Sequence, residues 1–174
     1  DMGFSDEGDV ILGLGVVEAR LAGSEYLSYV HGRVAGRPSI DLDFEVALQR
    51  LVRELIAEGV LLSAHDLAEG GLAVGVAESA FRGGIGARVE GGWLAAAVRA
   101  DIALFGEAQS RIIVSVEPER AKTVERRARS EDIPCVRLGT VGGDRLVIGP
   151  VDVALEDAQA VWSAGLARAL AGED

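Results

Sequence analysis

Val60-Leu61-Leu62-Ser63-Ala64-His65-Asp66-Leu67-Ala68-Glu69-Gly70-Gly71-Leu72 packs an apolar run, a polar loop and the opening of a helix into one short stretch. Val60 to Ala64 has the length and composition of a buried strand, and His65 to Gly70 is polar. From Leu72 to Phe81 the apolar spacing is helical again. Upstream, Phe44, Leu48, Leu51, Val52, Leu55 and Ile56 recur at helical spacing and define one apolar face. Asp41 is placed to cap that helix, Asp43 and Glu45 suit its positive end, and Gly59 stops it.

Downstream, Ile85 to Val89 reads as a strand and Trp93 to Val98 as a helix. Arg111 to Val116 (RIIVSV) is the clearest strand in the chain. Pro118 opens a charged helix running to about Ser130, since proline is tolerated in a first turn. Cys135 to Thr140 and Arg145 to Ile148 read as strands, with Gly142-Gly143 between them as a hairpin signal. Leu155 to Leu170, containing Trp162, is a closing amphipathic helix. In the first forty residues, Asp9 to Leu14 is a short strand and Gly23 to Tyr26 a turn or helix start. Gly32 to Ser39 is a Gly/Pro/Arg linker. The expected fold class is therefore α+β, a mixed β-sheet packed with helices.

Composition narrows the function. An apolar share of 49% with 26% charged residues supports a core and opposes disorder. A net charge of −11 without a basic stripe argues against nucleic acid. No apolar run approaches the roughly 20 residues of a membrane span, and the start lacks a secretory pattern, so a cytoplasmic location is expected. A single cysteine, Cys135, and two histidines give neither a disulfide framework nor a metal cluster, and no metal ligands are assigned. Neither a GxxxxGK[ST] loop nor a GxSxG motif occurs. Asp1 precedes the only methionine, Met2, which suggests a fragment or a cloning remnant.

Two segments can carry chemistry. Glycine inside a helix costs about 1 kcal/mol, so Gly70, Gly71 and Gly75 require a reason. Either a neighbouring element packs closely there, or a ligand approaches amides that form a natural anion site. In the alternative, purely structural reading, Asp66 and Glu69 are a capping pair and His65 hydrogen-bonds a loop carbonyl. In the second segment, Leu104 to Arg111, Glu107 and Gln109 can offer hydrogen bonds to ligand hydroxyls. Arg111 can meet a phosphate or an internal carboxylate in bidentate fashion. Its structural alternative is a turn with solvated side chains.

Ser63-Ala64-His65-Asp66-Leu67-Ala68-Glu69-Gly70-Gly71-Leu72-Ala73-Val74 and Phe105-Gly106-Glu107-Ala108-Gln109-Ser110-Arg111 together resemble the phosphoribosylformylglycinamidine synthase family. The family shows S-A-H-D-[VL]-S-D-G-G-L-A-V and F-[GS]-E-S-Q-S-R at these places. Glu7 to Ile11, Gly23 to Leu27, Ile133-Pro134 and Gly139 to Val141 fit as well. The resemblance implies the C-terminal domain of the aminoimidazole ribonucleotide synthetase-like fold. It divides the chain into residues 1–40, a strand and connector from a preceding ATP-binding-type domain, and residues 41–174, the domain itself.

The implied activity is that of a ligase of purine biosynthesis. ATP phosphorylates the amide oxygen of formylglycinamide ribonucleotide, and glutamine-derived ammonia displaces the phosphate. ATP and Mg2+ are then held mainly by domains outside this sequence. The implied partners are those preceding domains, a glutaminase subunit and a small scaffold subunit. This chain corresponds to the last quarter, so Glu107 and Gln109 are pseudo-symmetric counterparts of substrate contacts. His65, Asp66, Gly70, Gly71 and Arg111 complete the substrate- or phosphate-binding candidates, none is assigned a catalytic role, and the chain alone is expected to be inactive. Ala108 replaces the family's serine, and Ala68-Glu69 replaces Ser-Asp. Rival readings are a nucleotide-binding structural or assembly module, and part of an aminoimidazole ribonucleotide synthetase.

Overall fold

The computed structural model describes residues 1–96 and 99–172. Seven strands form one mixed sheet in the order β2-β4-β1-β5-β3-β6-β7. They are β1 (Val10–Gly15), β2 (Ser63–Asp66), β3 (Ala87–Val89), β4 (Arg111–Val116), β5 (Cys135–Val141), β6 (Arg145–Ile148) and β7 (Val151–Ala154). Every pairing is antiparallel except β3 with β6. The helices are α1 (Glu25–His31), α2 (Leu42–Ala57), α3 (Gly71–Gly83), α4 (Trp93–Ala96), α5 (Ala100–Phe105), α6 (Pro118–Ser130) and α7 (Leu155–Ala171).

Side chains alternate across a strand, and β1 shows the consequence. Leu12 and Leu14 face a core built with Leu48, Leu51 and Leu55 of α2 and Val124 of α6. Ile11 faces the opposite core, with Leu72 and Val76 of α3, Trp93 of α4 and Leu104 of α5. The sheet is thus covered on both faces.

Local signals are reproduced closely. Asp41 caps α2, its Oδ1 accepting from the amides of Asp43 and Phe44 at 3.1 Å. Gly59, at φ +65°, follows the end of α2 in the left-handed region that glycine adopts without steric cost. β4 and α6 have the expected bounds.

Non-local pairing produces the corrections. Val60 to Ala64 was expected as a strand and His65 to Gly70 as a loop, but β2 begins at Ser63 and includes His65 and Asp66. The register Ser63↔Ser115 to Asp66↔Ile112 on β4 draws the strand past the polar residues. The expected β5–β6 hairpin at Gly142-Gly143 does not form, because β3 lies between the two strands. The antiparallel turn falls one strand later, between β6 and β7. Ile56, expected on the apolar face of α2, is exposed, while Leu55 beside it is fully buried. Val98, the expected end of the α4 helix, lies outside the described residues.

Helix α7 is less buried than its pattern suggests: Leu155 is buried, whereas Val161, Trp162 and Leu166 are exposed. The strand within residues 1–40 is not peripheral either. β1 lies at the centre of the sheet between β4 and β5, and all six of its residues are buried.

Candidate functional site

The start of α3 and the loop joining α5 to β4 meet at one place. Gly70 and Gly71 both have positive φ, +79° and +62°, a conformation that costs a non-glycine residue about 1–2 kcal/mol. A Cβ on Gly71 would lie 2.6 Å from the carbonyl oxygen of Gly106. The pair of glycines therefore turns the chain from β2 into α3 while the Leu104–Gly106 backbone passes against it. Of the two reasons for these glycines, close packing of a neighbouring element is the one visible in the structure.

Glu107 occupies the position an anion would take. Its Oε1 accepts from the amide of Gly70 at 2.9 Å and from the amide of Glu25, the first residue of α1, also at 2.9 Å. One carboxylate thus serves two helix N-termini, where negative charge is favoured. The backbone of Glu107 also pairs with Arg20, donating at 2.8 Å and accepting at 3.3 Å. Beside it, Tyr26 of α1 stacks on Phe105, with centroids 5.1 Å apart. The expected Asp66/Glu69 capping pair is not the cap: Gly70 is the N-cap of α3 and has no side-chain cap of its own. The capping carboxylate comes from 37 residues away.

Arg111 is buried, with 2% of its surface exposed. Its Nη1 donates to the Gly106 carbonyl at 3.3 Å, and the guanidinium lies 4.1 Å from the centroid of the Trp93 ring. Burial lowers its pKa to about 10, so it remains charged at neutral pH. Among the described residues it forms no ion pair with a carboxylate. It braces the loop from beneath. His65 places Nε2 3.0 Å from Oε2 of Glu78 on α3, where a loop carbonyl had been expected as its partner. Asp66, on the same edge strand, is exposed.

Asp66, Glu69, Glu107 and Gln109 line one shallow cavity of about 290 Å³. His65, Gly70, Gly71 and Arg111 are outside that lining. The cavity has no basic lining residue, so as it stands it opposes a phosphate. Among the described residues no group of three His, Cys, Asp or Glu side chains could hold a metal ion. In this arrangement the Gly70 amide donates to Glu107 and Arg111 is buried.

A second cavity, of about 330 Å³, adjoins the other side of the loop. Glu107, Ala108, Gln109 and Ser110 form one wall, and the connector, including Arg20, Arg37 and Ser39, forms another. Sequence reading missed Arg20, in a stretch between Leu14 and Gly23 that it assigned to no element, and Arg37, inside a Gly/Pro/Arg segment that looks like a plain linker. The only local signal is the arginine content of residues that bear little apolar surface.

An α+β domain with a mixed seven-stranded sheet, an αL glycine pair before α3 and a Glu-x-Gln loop facing it defines a domain class. The chain belongs to the family described as AIR synthase related protein, C-terminal domain, which it matches over residues 6–151. It is 48% identical over 146 residues to the phosphoribosylformylglycinamidine synthase subunit PurL of Alkaliphilus metalliredigens, spanning 83% of this chain and 19% of that protein. PurL of Moorella thermoacetica is 48% identical over 148 residues, 84% of this chain and 20% of that protein. The chain thus spans about a fifth of the length of these curated relatives. A solved structure of T. maritima PurL complexed with FGAR shares the fold, with a TM-score of 0.77 and 22% identity, over 91% of this chain and 29% of that one.

Proposed function

We propose that this chain is the C-terminal domain of a phosphoribosylformylglycinamidine synthase, an ATP-dependent C–N ligase of purine biosynthesis. The observation that carries the reading is the 48% identity along 146 residues to a protein of that name. Within the whole enzyme, formylglycinamide ribonucleotide, ATP and glutamine-derived ammonia would give formylglycinamidine ribonucleotide.

The domain contributes shape and an interface, and the chemistry lies elsewhere. Phosphoryl transfer requires a cradle for the phosphates and charge neutralisation around them. Here Glu107 holds the α3 amide and Arg111 is buried under the loop. ATP and Mg2+ are assigned mainly to preceding ATP-binding-type domains, with residues 1–40 as the strand and connector from them. A glutaminase subunit and a small scaffold subunit are the proposed partners, in the cytoplasm. The word "subunit" in the relatives' names supports an assembly.

The test is a coupled assay of ADP and glutamate release, with the complete reconstituted synthase and with the isolated chain. The complete enzyme is expected to turn over only with formylglycinamide ribonucleotide present, and the isolated chain not at all. Turnover by the repurified chain that disappears in Asp66→Asn would overturn the assignment of chemistry to other domains. A complete protein indifferent to the ribonucleotide would sink the reading altogether.

A further inference from the structure

Residues 23–35 leave the domain and return to it at nearly the same point. The Gly23 amide donates to the Ala35 carbonyl at 2.8 Å, and a Cβ on Gly36 would lie 2.4 Å from that of Ala22, so the neck of the excursion is closely packed. Between the two ends runs α1, a seven-residue helix without a buried residue. A helix this short is not stable by itself in water, so whatever docks it also keeps it folded. Beyond the neck, one hydrogen bond among the described residues ties the excursion to the domain: the Glu25 amide donates to Oε1 of Glu107 at 2.9 Å. The other attachment is aromatic. Tyr26 lies on Phe105, with the rings 3° from parallel and their centroids 5.1 Å apart. Both attachments end on one segment, since Phe105 closes α5 and Glu107 lines the cavities on either side of the loop that follows. The same Glu107 oxygen accepts from the Gly70 amide, so the carboxylate stays anchored to α3 when the Glu25 amide leaves.

We infer that residues 23–35 form a strap that opens as a unit over Phe105 and Glu107 while the rest of the domain stays folded. The neck is the hinge, and the Tyr26–Phe105 stack with the Glu25–Glu107 hydrogen bond is the clasp. One ring pair and one hydrogen bond place the strap at the low end of the range of local opening free energies. Opening melts α1, bares the Phe105 ring and releases one of the two amides that Glu107 holds, beside both cavities that Glu107 lines. The strap follows from contacts within this chain, so it stands or falls separately from the activity of a complete synthase.

The experiment follows amide hydrogen exchange of the isotopically labelled chain by NMR at several low urea concentrations. The amides of Glu25, Ser28, Gly32 and Arg33, all hydrogen-bonded in the strap, are expected to share one opening free energy. It should lie below that of β1 and hardly change with urea, because little surface is exposed. Tyr26→Ala is expected to speed their exchange about threefold to tenfold, the order set by an aromatic pair, and to leave Gly70 and β1 unchanged. Tyr29→Ala is the control: it makes the same local change on the same helix at a side chain that is 91% exposed. It should leave strap exchange unchanged or slightly slower, since alanine is the better helix former. Strap amides that exchange with the free energy and urea slope of β1, or with no protection at all, overturn the strap. Equal effects of Tyr26→Ala and Tyr29→Ala overturn the clasp. Gly70 accelerating together with α1 in Tyr26→Ala would make the two helix starts a single unit, which also overturns the inference.

Discussion

Gly71 holds φ at +62°, and a Cβ there would meet the Gly106 carbonyl at 2.6 Å. Gly71→Val therefore combines backbone strain with a backbone collision, and is expected to lower stability by at least about 2 kcal/mol. Urea denaturation measures it; a change within about 0.5 kcal/mol, as at neutral surface positions, would contradict the packing argument. Glu107→Ala removes the acceptor shared by two helix starts, at an expected cost of about 1–3 kcal/mol. Hydrogen exchange at the amides of Glu25 and Gly70 should accelerate with it, and unchanged exchange at both would refute the shared cap. Cys135 gives a pH signature. Burial, with Glu125 nearby and Arg137 partly opposing, raises its pKa from 9.0 to about 11. Between those values the unfolded thiol loses its proton first, so the folded state binds more protons and stability falls as pH rises. The urea midpoint of the wild type should drop more than that of Cys135→Ala from about pH 9 towards about pH 11, with parallel behaviour below about pH 8. Identical pH profiles would refute it.

The elements separate into those legible in local sequence and those set by distant partners. β4 and α6 could be read because an alternating RIIVSV run and a proline at the first helical turn are complete signals in themselves. The β5–β6 hairpin was misread because nothing in Gly142-Gly143 records that β3, at Ala87–Val89 far upstream, inserts between the strands. At the site, the two glycine-bearing and Glu-x-Gln segments were legible, but their junction was not: the cap on α3 comes from Glu107, not from Asp66 or Glu69 beside it. The first forty residues carry the largest such difference. Sequence reading makes them a strand and connector from a preceding domain. In the sheet, β1 is paired on both sides and wholly buried. Amides of Val10 to Leu14 are therefore expected among the slowest to exchange, and those of residues 33–40, which are exposed and outside regular elements, among the fastest. Fast exchange in β1 would mean that the strand does not hold its central place.

Across the whole molecule, the two cores share one sheet, and this governs how the chain unfolds. Ile11 contributes to one core while Leu12 and Leu14 contribute to the other, so neither core survives without β1. The two faces can then be perturbed and observed separately. Leu55 of α2 is fully buried in one core, and its truncation to alanine leaves a cavity costing about 2–5 kcal/mol. Trp93 belongs to the other core, and Trp162 lies against Phe81, which packs on that same core. Tryptophan fluorescence therefore reports on the face that the Leu55→Ala change does not touch. If the chain unfolds as a unit, the variant should shift the fluorescence transition and the far-ultraviolet dichroism transition by the same free energy. If the faces were independent, fluorescence would stay at the wild-type midpoint while part of the dichroism signal melted early. The shared central strand leads us to expect coincident curves, each displaced to lower urea by the full cost of the Leu55 cavity.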